Sequence, residues 1–280
     1  MFSQVLLTVD YDRTLTGPDS TIPERNLEAI RYFMENGGAF TMNTGRSTTT
    51  MRDLFDKIPV NAPFLLYNGS AAYEQGALTH CKEIDLDLWD TLDEMHAMFP
   101  DMNLEIQGAK LHYLYKTLPG YDQFYRHIQW GFAEVERGDD VGPFLKFSLF
   151  GRTWEDTVAQ FYEGTQEDLD RMDQAEAWLK ARFGDKVSVF RAAPRIIDIH
   201  AGGVSKGVAA RALQKRMGRK ILVCVGDSHN DLSMLDDADY AYTPADAVIA
   251  GGYETVCNCA DGAVADVIYK KIPEILKNQP

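Results

Sequence analysis

Val5-Leu6-Leu7-Thr8-Val9-Asp10-Tyr11-Asp12 is the stretch on which the fold turns. Five apolar or β-branched residues run without interruption and stop at two carboxylates one residue apart. An uninterrupted run of this kind reads as a parallel strand buried on both faces, and open α/β sheets place ligands at the carboxyl ends of such strands. Moving outward, Thr21 and Glu24 have capping-box spacing with Pro23 in the first turn. Leu27, Ile30, Phe33 and Met34 then form a helical stripe that stops at Gly37-Gly38. Ala39-Phe40-Thr41-Met42-Asn43 is a second strand, followed by Thr44-Gly45-Arg46 and a helix predicted from about 49 to 57. Phe64-Leu65-Leu66-Tyr67, ending in Asn68-Gly69, is a third strand. This β-α-β-α-β order is the grammar of a doubly wound parallel sheet.

The pattern changes after about residue 84. A helix near 88–99, strands at 104–106 and 111–115, an aromatic segment from Tyr121 to Trp130, a strand at 144–150, a helix at 166–183 and a strand at 187–190 follow. Strands at hairpin spacing with helices between them predict an inserted α+β unit. The first pattern then resumes: Ile196-Ile197-Asp198-Ile199 as a strand, a helix from Ser205 to Met217, and the run Ile221-Leu222-Val223-Cys224-Val225 ending in Gly226-Asp227. Shorter strands at 240–242 and 254–256 complete the sheet. The expectation is a core from 1–83 and 191–280, with residues 84–190 as an α+β cap over it.

The 280 residues are 45% hydrophobic and 25% charged, enough apolar material for a packed core, which argues against disorder. A net charge of −14 and a pI near 4.8 exclude nucleic acid and anionic membrane surfaces as natural partners. The start, Met1-Phe2-Ser3-Gln4, lacks the character of a signal peptide, and no apolar run reaches membrane-spanning length. Cys81, Cys224, Cys257 and Cys259 show neither a disulfide framework nor a CxxC pair, so reduced thiols in a cytoplasmic protein are expected. Oligomeric state is not legible.

Four features fall at strand ends or helix starts: Asp10-Tyr11-Asp12-Arg13-Thr14, Thr44-Gly45-Arg46, Lys206 within Ser205-Lys206-Gly207, and Gly226-Asp227-Ser228-His229-Asn230-Asp231. In a parallel sheet these ends converge on one crevice. Clustered Asp10, Asp12, Asp227 and Asp231 repel one another unless a cation intervenes, and Mg²⁺ takes oxygen ligands while bridging to phosphate. Lys206 supplies positive charge, Thr44 a hydroxyl donor, and the helix starts aim N–H groups at an anion. These are the parts of a phosphoryl-transfer site. The Asp10–Asp12 step lets one carboxylate attack phosphorus while the other handles protons. Asp12 would protonate the leaving oxygen and then activate water against an aspartyl-phosphate.

The four motifs together resemble those of the haloacid dehalogenase-like phosphatases, and the large insert resembles the Cof-like subgroup with a C2-type cap. That resemblance implies a Rossmann-like core, Asp10 as nucleophile and Asp12 as general acid/base. It implies Thr44, with its neighbours Gly45 and Arg46, and Lys206 on the phosphoryl group. Mg²⁺ would be held by Asp10, the backbone carbonyl of Asp12 and Asp227, with Asp231 acting through a water or by orienting its neighbours. Asn68-Gly69 matches a substrate-side position, and Asn230 is a further candidate, touching either the phosphate or the residues that hold it. Arg13 departs from the pattern, because the family usually has Gly there. Either Arg13 keeps an ordinary backbone conformation and points to solvent, or it reaches the substrate's phosphate or a cap carboxylate.

Other features read as structural. His229 is a bystander at the site's edge, and His112, His127 and His200 lack metal-ligand spacing. Tyr121, Phe124, Tyr125 and Trp130 pack on the cap sheet, and with Arg126 form the place to look for substrate contacts. The reading is a Mg²⁺-dependent phosphomonoester hydrolase for a small phosphorylated metabolite, such as a sugar phosphate or phosphorylated cofactor. A phosphomutase using the same intermediate and a non-catalytic phosphorylatable receiver or binding protein are its alternatives.

Overall fold

A computed structural model describes residues 1–151, 165–249 and 251–278. Its strands in chain order are β1 (Val5–Val9), β2 (Ala39–Met42), β3 (Phe64–Leu66), β4 (Ala71–Glu74), β5 (Ala77–Thr79), β6 (Asn103–Gln107) and β7 (His112–Tyr115). They continue as β8 (Phe132–Glu134), β9 (Lys146–Phe150), β10 (Val187–Ala193), β11 (Ile196–Ala201), β12 (Ile221–Val225), β13 (Tyr240–Thr243) and β14 (Glu254–Thr255). The α-helices are α1 (Glu24–Glu35), α2 (Thr48–Met51), α3 (Leu88–Met98), α4 (Asp122–Ile128) and α5 (Gln166–Phe183). After them come α6 (Lys206–Arg216), α7 (Leu232–Asp237), α8 (Ala263–Asp266) and α9 (Ile272–Lys277).

Two compact units result. The first comprises Met1–Gly45, Asp53–Thr79 and Ser205–Pro280, and the second Arg46–Arg52 and His80–Val204. In the first unit a parallel sheet has the order β14-β13-β12-β1-β2. Its centre, β1 and β12, is buried along its whole length, as the unbroken apolar runs predict. One face, carrying Leu6, Leu222 and Cys224, packs on Ala210 and Leu213 of α6 and on Met234 and Leu235 of α7. Thr8, the polar member of β1, faces the sulfurs of Cys224 and Met234 at 3.2 and 3.5 Å, which satisfies its buried hydroxyl. On α1, Ala29, Ile30 and Phe33 are fully buried.

The second unit is a six-stranded sheet of order β10-β11-β9-β6-β7-β8, antiparallel except for the β7–β8 pair. One face presents Leu104, Ile106, Phe147, Leu149, Ile197 and Ile199 to the apolar stripes of α3 and α5. The alternate residues face the other way, and they include Glu105, Gln107, Ser148 and Asp198, all buried. The aromatic segment is the short helix α4, with Tyr121, Phe124 and Tyr125 packed on Leu114 and Phe150.

Four expectations are revised. The run at Ile196 belongs to the second unit as the antiparallel neighbour of β9 and β10, so the observed break lies at 204/205 rather than at 190/191. The earlier break falls at 79/80, and Arg46–Arg52 also clusters with the second unit. There Thr48 Oγ1 donates to Ala109 O at 2.7 Å and Arg52 donates to Lys110 O at 3.0 Å. The helix expected to about residue 57 is only α2, capped by Ser47 accepting from Thr50 N–H. β3 joins the parallel sheet by a single bridge, Leu65 to Asn43, and otherwise pairs antiparallel with β4. Finally, α1 begins after Pro23 with no side-chain cap, so the Thr21–Glu24 capping box does not form.

Candidate active site

The strand order places the site. From β1 the chain crosses to β2 on one side, whereas from β12 it goes on to β13 and β14 on the other. The β1–β12 junction is therefore the topological switch point, where a crevice opens at the carboxyl ends. Asp10 follows β1 and extends the ladder by donating its N–H to Val225 O at 3.0 Å. Asp227 follows β12. The Ser205 hydroxyl caps α6 by accepting from Val208 N–H at 3.1 Å, and Lys206 is the first residue of that helix.

Lys206, fully buried, donates from Nζ to Asp10 Oδ1 and to Asp231 Oδ1, each at 2.6 Å. Asp231 is buried too, and its Oδ2 accepts from the N–H groups of Asp227 and Ser228, both at 3.0 Å. Thr14 Oγ1 donates to Asp227 Oδ1 at 3.1 Å. One ligand oxygen from each of Asp10, Asp227 and Asp231 lies within 4.8 Å of the others. Three buried carboxylates around one ammonium leave excess negative charge. Burial drives the Asp10 carboxyl well above its usual range; Lys206 opposes this, while Asp231, Asp227 and Asp12 add to it. Burial, then Asp231, pushes Asp227 up to about 7. For Lys206, burial works against the charge, but Asp10 and Asp231 outweigh it and hold its pKa above the ordinary lysine value. A hard divalent cation fits this all-oxygen donor set and relieves the repulsion.

Backbone approach completes the crevice. Thr44, buried, donates its N–H to Leu65 O and accepts from Asn68 N–H, both at 3.0 Å. A Cβ on Gly45 would stand 2.9 Å from Asn68 Oδ1. Gly69, at φ +95°, lies so near the start of α6 that a Cβ would meet Ser205 O at 2.6 Å. Asn230 Nδ2 reaches Asn68 Oδ1 at 3.4 Å. Of the residues singled out from sequence, Asp10, Thr44, Gly45, Asn68, Lys206, Asp227, Asn230 and Asp231 are thus linked within the first unit. Asp12 is half-buried in the turn after β1, outside the carboxylate trio among the described residues. Arg46 heads the segment that belongs to the second unit. His229 is exposed.

Two contributors had no role in the sequence reading. One is Thr14, through Asp227. The other is Asn43, whose Nδ2 donates to Lys206 O at 2.8 Å and so ties the end of β2 to the start of α6. Their signal was a polar side chain at a strand end or beside a carboxylate motif. Arg13 is a correction: its φ of 55° and ψ of 15° are left-handed, not ordinary, so the chain keeps the glycine geometry with an arginine in it.

The model of the haloacid dehalogenase-like hydrolase family matches residues 7–250. The chain belongs to this family. Among curated relatives, a 5-amino-6-(5-phospho-D-ribitylamino)uracil phosphatase of Bacillus subtilis is 24% identical, over 86% of this chain and 88% of its own length. An HMP-PP phosphatase of Escherichia coli O157:H7 is 22% identical, over 87% and 85%. A solved sugar phosphatase of haloacid dehalogenase subclass IIB superposes with a TM-score of 0.74 at 16% identity, covering 96% of this chain and 99% of that one. That likeness shows a shared fold. Family membership and the carboxylate–lysine cluster make the chain an enzyme of the hydrolase class.

Proposed function

We propose that the protein is a Mg²⁺-dependent phosphomonoester hydrolase that acts on a small phosphorylated metabolite through an aspartyl-phosphate on Asp10. One observation carries this reading: Asp10 stands at the switch point of the sheet, 2.6 Å from Lys206 Nζ, with Asp227 and Asp231 beside it. Mg²⁺ held by Asp10, the Asp12 carbonyl and Asp227 would supply charge neutralisation at the phosphoryl oxygens. Asp10 is the nucleophile. Lys206 and Thr44 bind phosphoryl oxygens, and the Gly45 and Asn68-Gly69 backbone shapes the space for them, with Asn230 behind Asn68. Asp12 gives a proton to the leaving oxygen and takes one from the attacking water. Asp231 orients: its hydrogen bonds hold the loop that carries Asp227 and fix Lys206. Arg46 is assigned to substrate, and selection among leaving groups to the inserted unit. The acidic charge and four free cysteines support a reducing, cytoplasmic setting; no described helix is long and apolar enough to cross a membrane.

The relatives suggest the panel: sugar phosphates, HMP-PP and 5-amino-6-(5-phospho-D-ribitylamino)uracil. Phosphate release from these should require Mg²⁺, stop in EDTA and vanish in Asp10→Asn. Turnover that survives in Asp10→Asn would remove the nucleophile assignment. Isomerised product with little free phosphate, dependent on a bisphosphate activator, would make the protein a mutase instead.

A further inference from the structure

Arg13 holds a conformation that glycine adopts freely and arginine adopts under strain. The strain is imposed from both sides. Thr14 is tied to Asp227, and the Arg13 N–H donates to Thr16 Oγ1 at 3.2 Å. The side chain is exposed, and among the described residues its guanidinium has no hydrogen-bond or ion-pair partner. Arg13 stands between Asp12 and Thr14, whose hydroxyl donates to Asp227 Oδ1 at 3.1 Å, so its charge is carried on the Asp227 side of the cluster, and its turn packs against Cys259–Asp261. Asp246 accepts from the N–H and Sγ of Cys259 at 2.9 and 3.1 Å, so this loop is fixed beside the turn that carries Arg13.

The charge balance gives such an arginine something to do. Lys206 is already engaged by two carboxylates. A phosphate dianion approaching this cluster, in a chain of net charge −14, meets repulsion that one saturated ammonium does not offset. A guanidinium on the Asp227 side opposes that repulsion, and it equally opposes a divalent cation. We propose that Arg13 is an electrostatic positioning residue that raises the site's affinity for phosphate and lowers its affinity for the metal. This rests on the phosphatase reading above. It also accounts for a strained cation at a position where glycine would be easier: a mere spacer has no use for charge.

The test is calorimetric titration, independent of turnover. Mn²⁺ is titrated into metal-free wild type, Arg13→Gln and Arg13→Lys, and inorganic phosphate into the Mn²⁺-saturated forms. Arg13→Gln should bind Mn²⁺ about threefold more tightly and phosphate about threefold more weakly, while Arg13→Lys stays near wild type in both. Both differences should shrink in about 0.5 M KCl. Arg13→Gly, which removes the charge and the strain together, should repeat the Arg13→Gln result and serves if that variant folds poorly. A purely structural role would weaken both ligands together, and that result, or two unchanged constants, overturns the proposal. A wild type that binds neither Mn²⁺ nor phosphate would instead overturn the phosphatase reading itself, and this inference with it.

Discussion

Both units bury charge, but they do so in different ways. In the first, Asp10, Asp227 and Asp231 gather at the ends of parallel strands around one buried ammonium among the described residues, that of Lys206, leaving an excess of negative charge. In the second, the charges lie across the face of an antiparallel sheet and are matched. Lys146 meets Asp198 at 2.7 Å, Ser148 bridges Asp198 to Gln107, and Glu105 takes both the His112 ring and the Tyr125 hydroxyl. A matched buried set needs nothing further and serves the fold. An unmatched set costs stability and makes sense only with a ligand. Charge balance, more than burial, separates a site from a scaffold here.

The largest expected effect tests the unmatched side. Asp10→Asn should lower kcat by about 10³-fold or more, ~4 kcal/mol of barrier, while the protein still unfolds cooperatively in urea. Next comes the matched side. Lys146→Met leaves Asp198 buried without its cation and should cost about 3–5 kcal/mol in urea denaturation; Lys146→Met with Asp198→Leu should recover most of it. Equal losses in the single and double variants would show that the pair is not matched in the sense argued.

Acidification should then move the two units in opposite directions. Burial, followed by the charge of Lys146, holds the His200 pKa well below 6.5 in the folded state. Below pH ~6.5 the unfolded chain takes a proton that folded His200 refuses, so this contribution is present above that pH and is lost as pH falls, by up to about 1.4 kcal/mol per pH unit. Asp227 has the reverse sign. Its folded pKa of about 7 exceeds the unfolded 3.8, so the metal-free first unit gains stability as pH drops from 7 toward 4. Hydrogen exchange in EDTA at pH 7 and 5.5, corrected for intrinsic rates, should show protection rising in β12 and falling in β11. Parallel changes would break the contrast. The smallest effect is Arg13→Gly, which should stabilise the fold by about 1 kcal/mol by relieving the left-handed arginine, read from the urea midpoint.

The first unit was largely legible because its information is local. β1, β2 and β12 are unbroken apolar runs, and their acidic or glycine ends mark the crevice directly. β11 was misplaced because a strand flanked on both edges has a similar apolar look in either sheet. The usable signal was alternation: Ile197 and Ile199 face α5 and α3, while Asp198 faces the polar side. A period of two fits an antiparallel sheet with unlike faces, not a doubly buried parallel strand. The polar row Glu105–Ser148–Asp198 was not legible at all, because its members come from three strands and meet only through register. For the same reason Asn43 escaped notice: its partner lies 163 residues away.

The strand order β14-β13-β12-β1-β2 also governs the sequence of events during synthesis. β1 emerges first, yet its central neighbour β12 begins only at Ile221. Until then one edge of β1 has no partner, and nearly all of the second unit has already left the ribosome. The inserted unit, almost contiguous in the chain, can close its own sheet while the first unit waits for its second half, Ser205–Pro280. A nascent chain whose emerged portion ends between residues 204 and 221 therefore displays a finished insert on an unfinished first unit, with a bare apolar strand edge for a chaperone to guard.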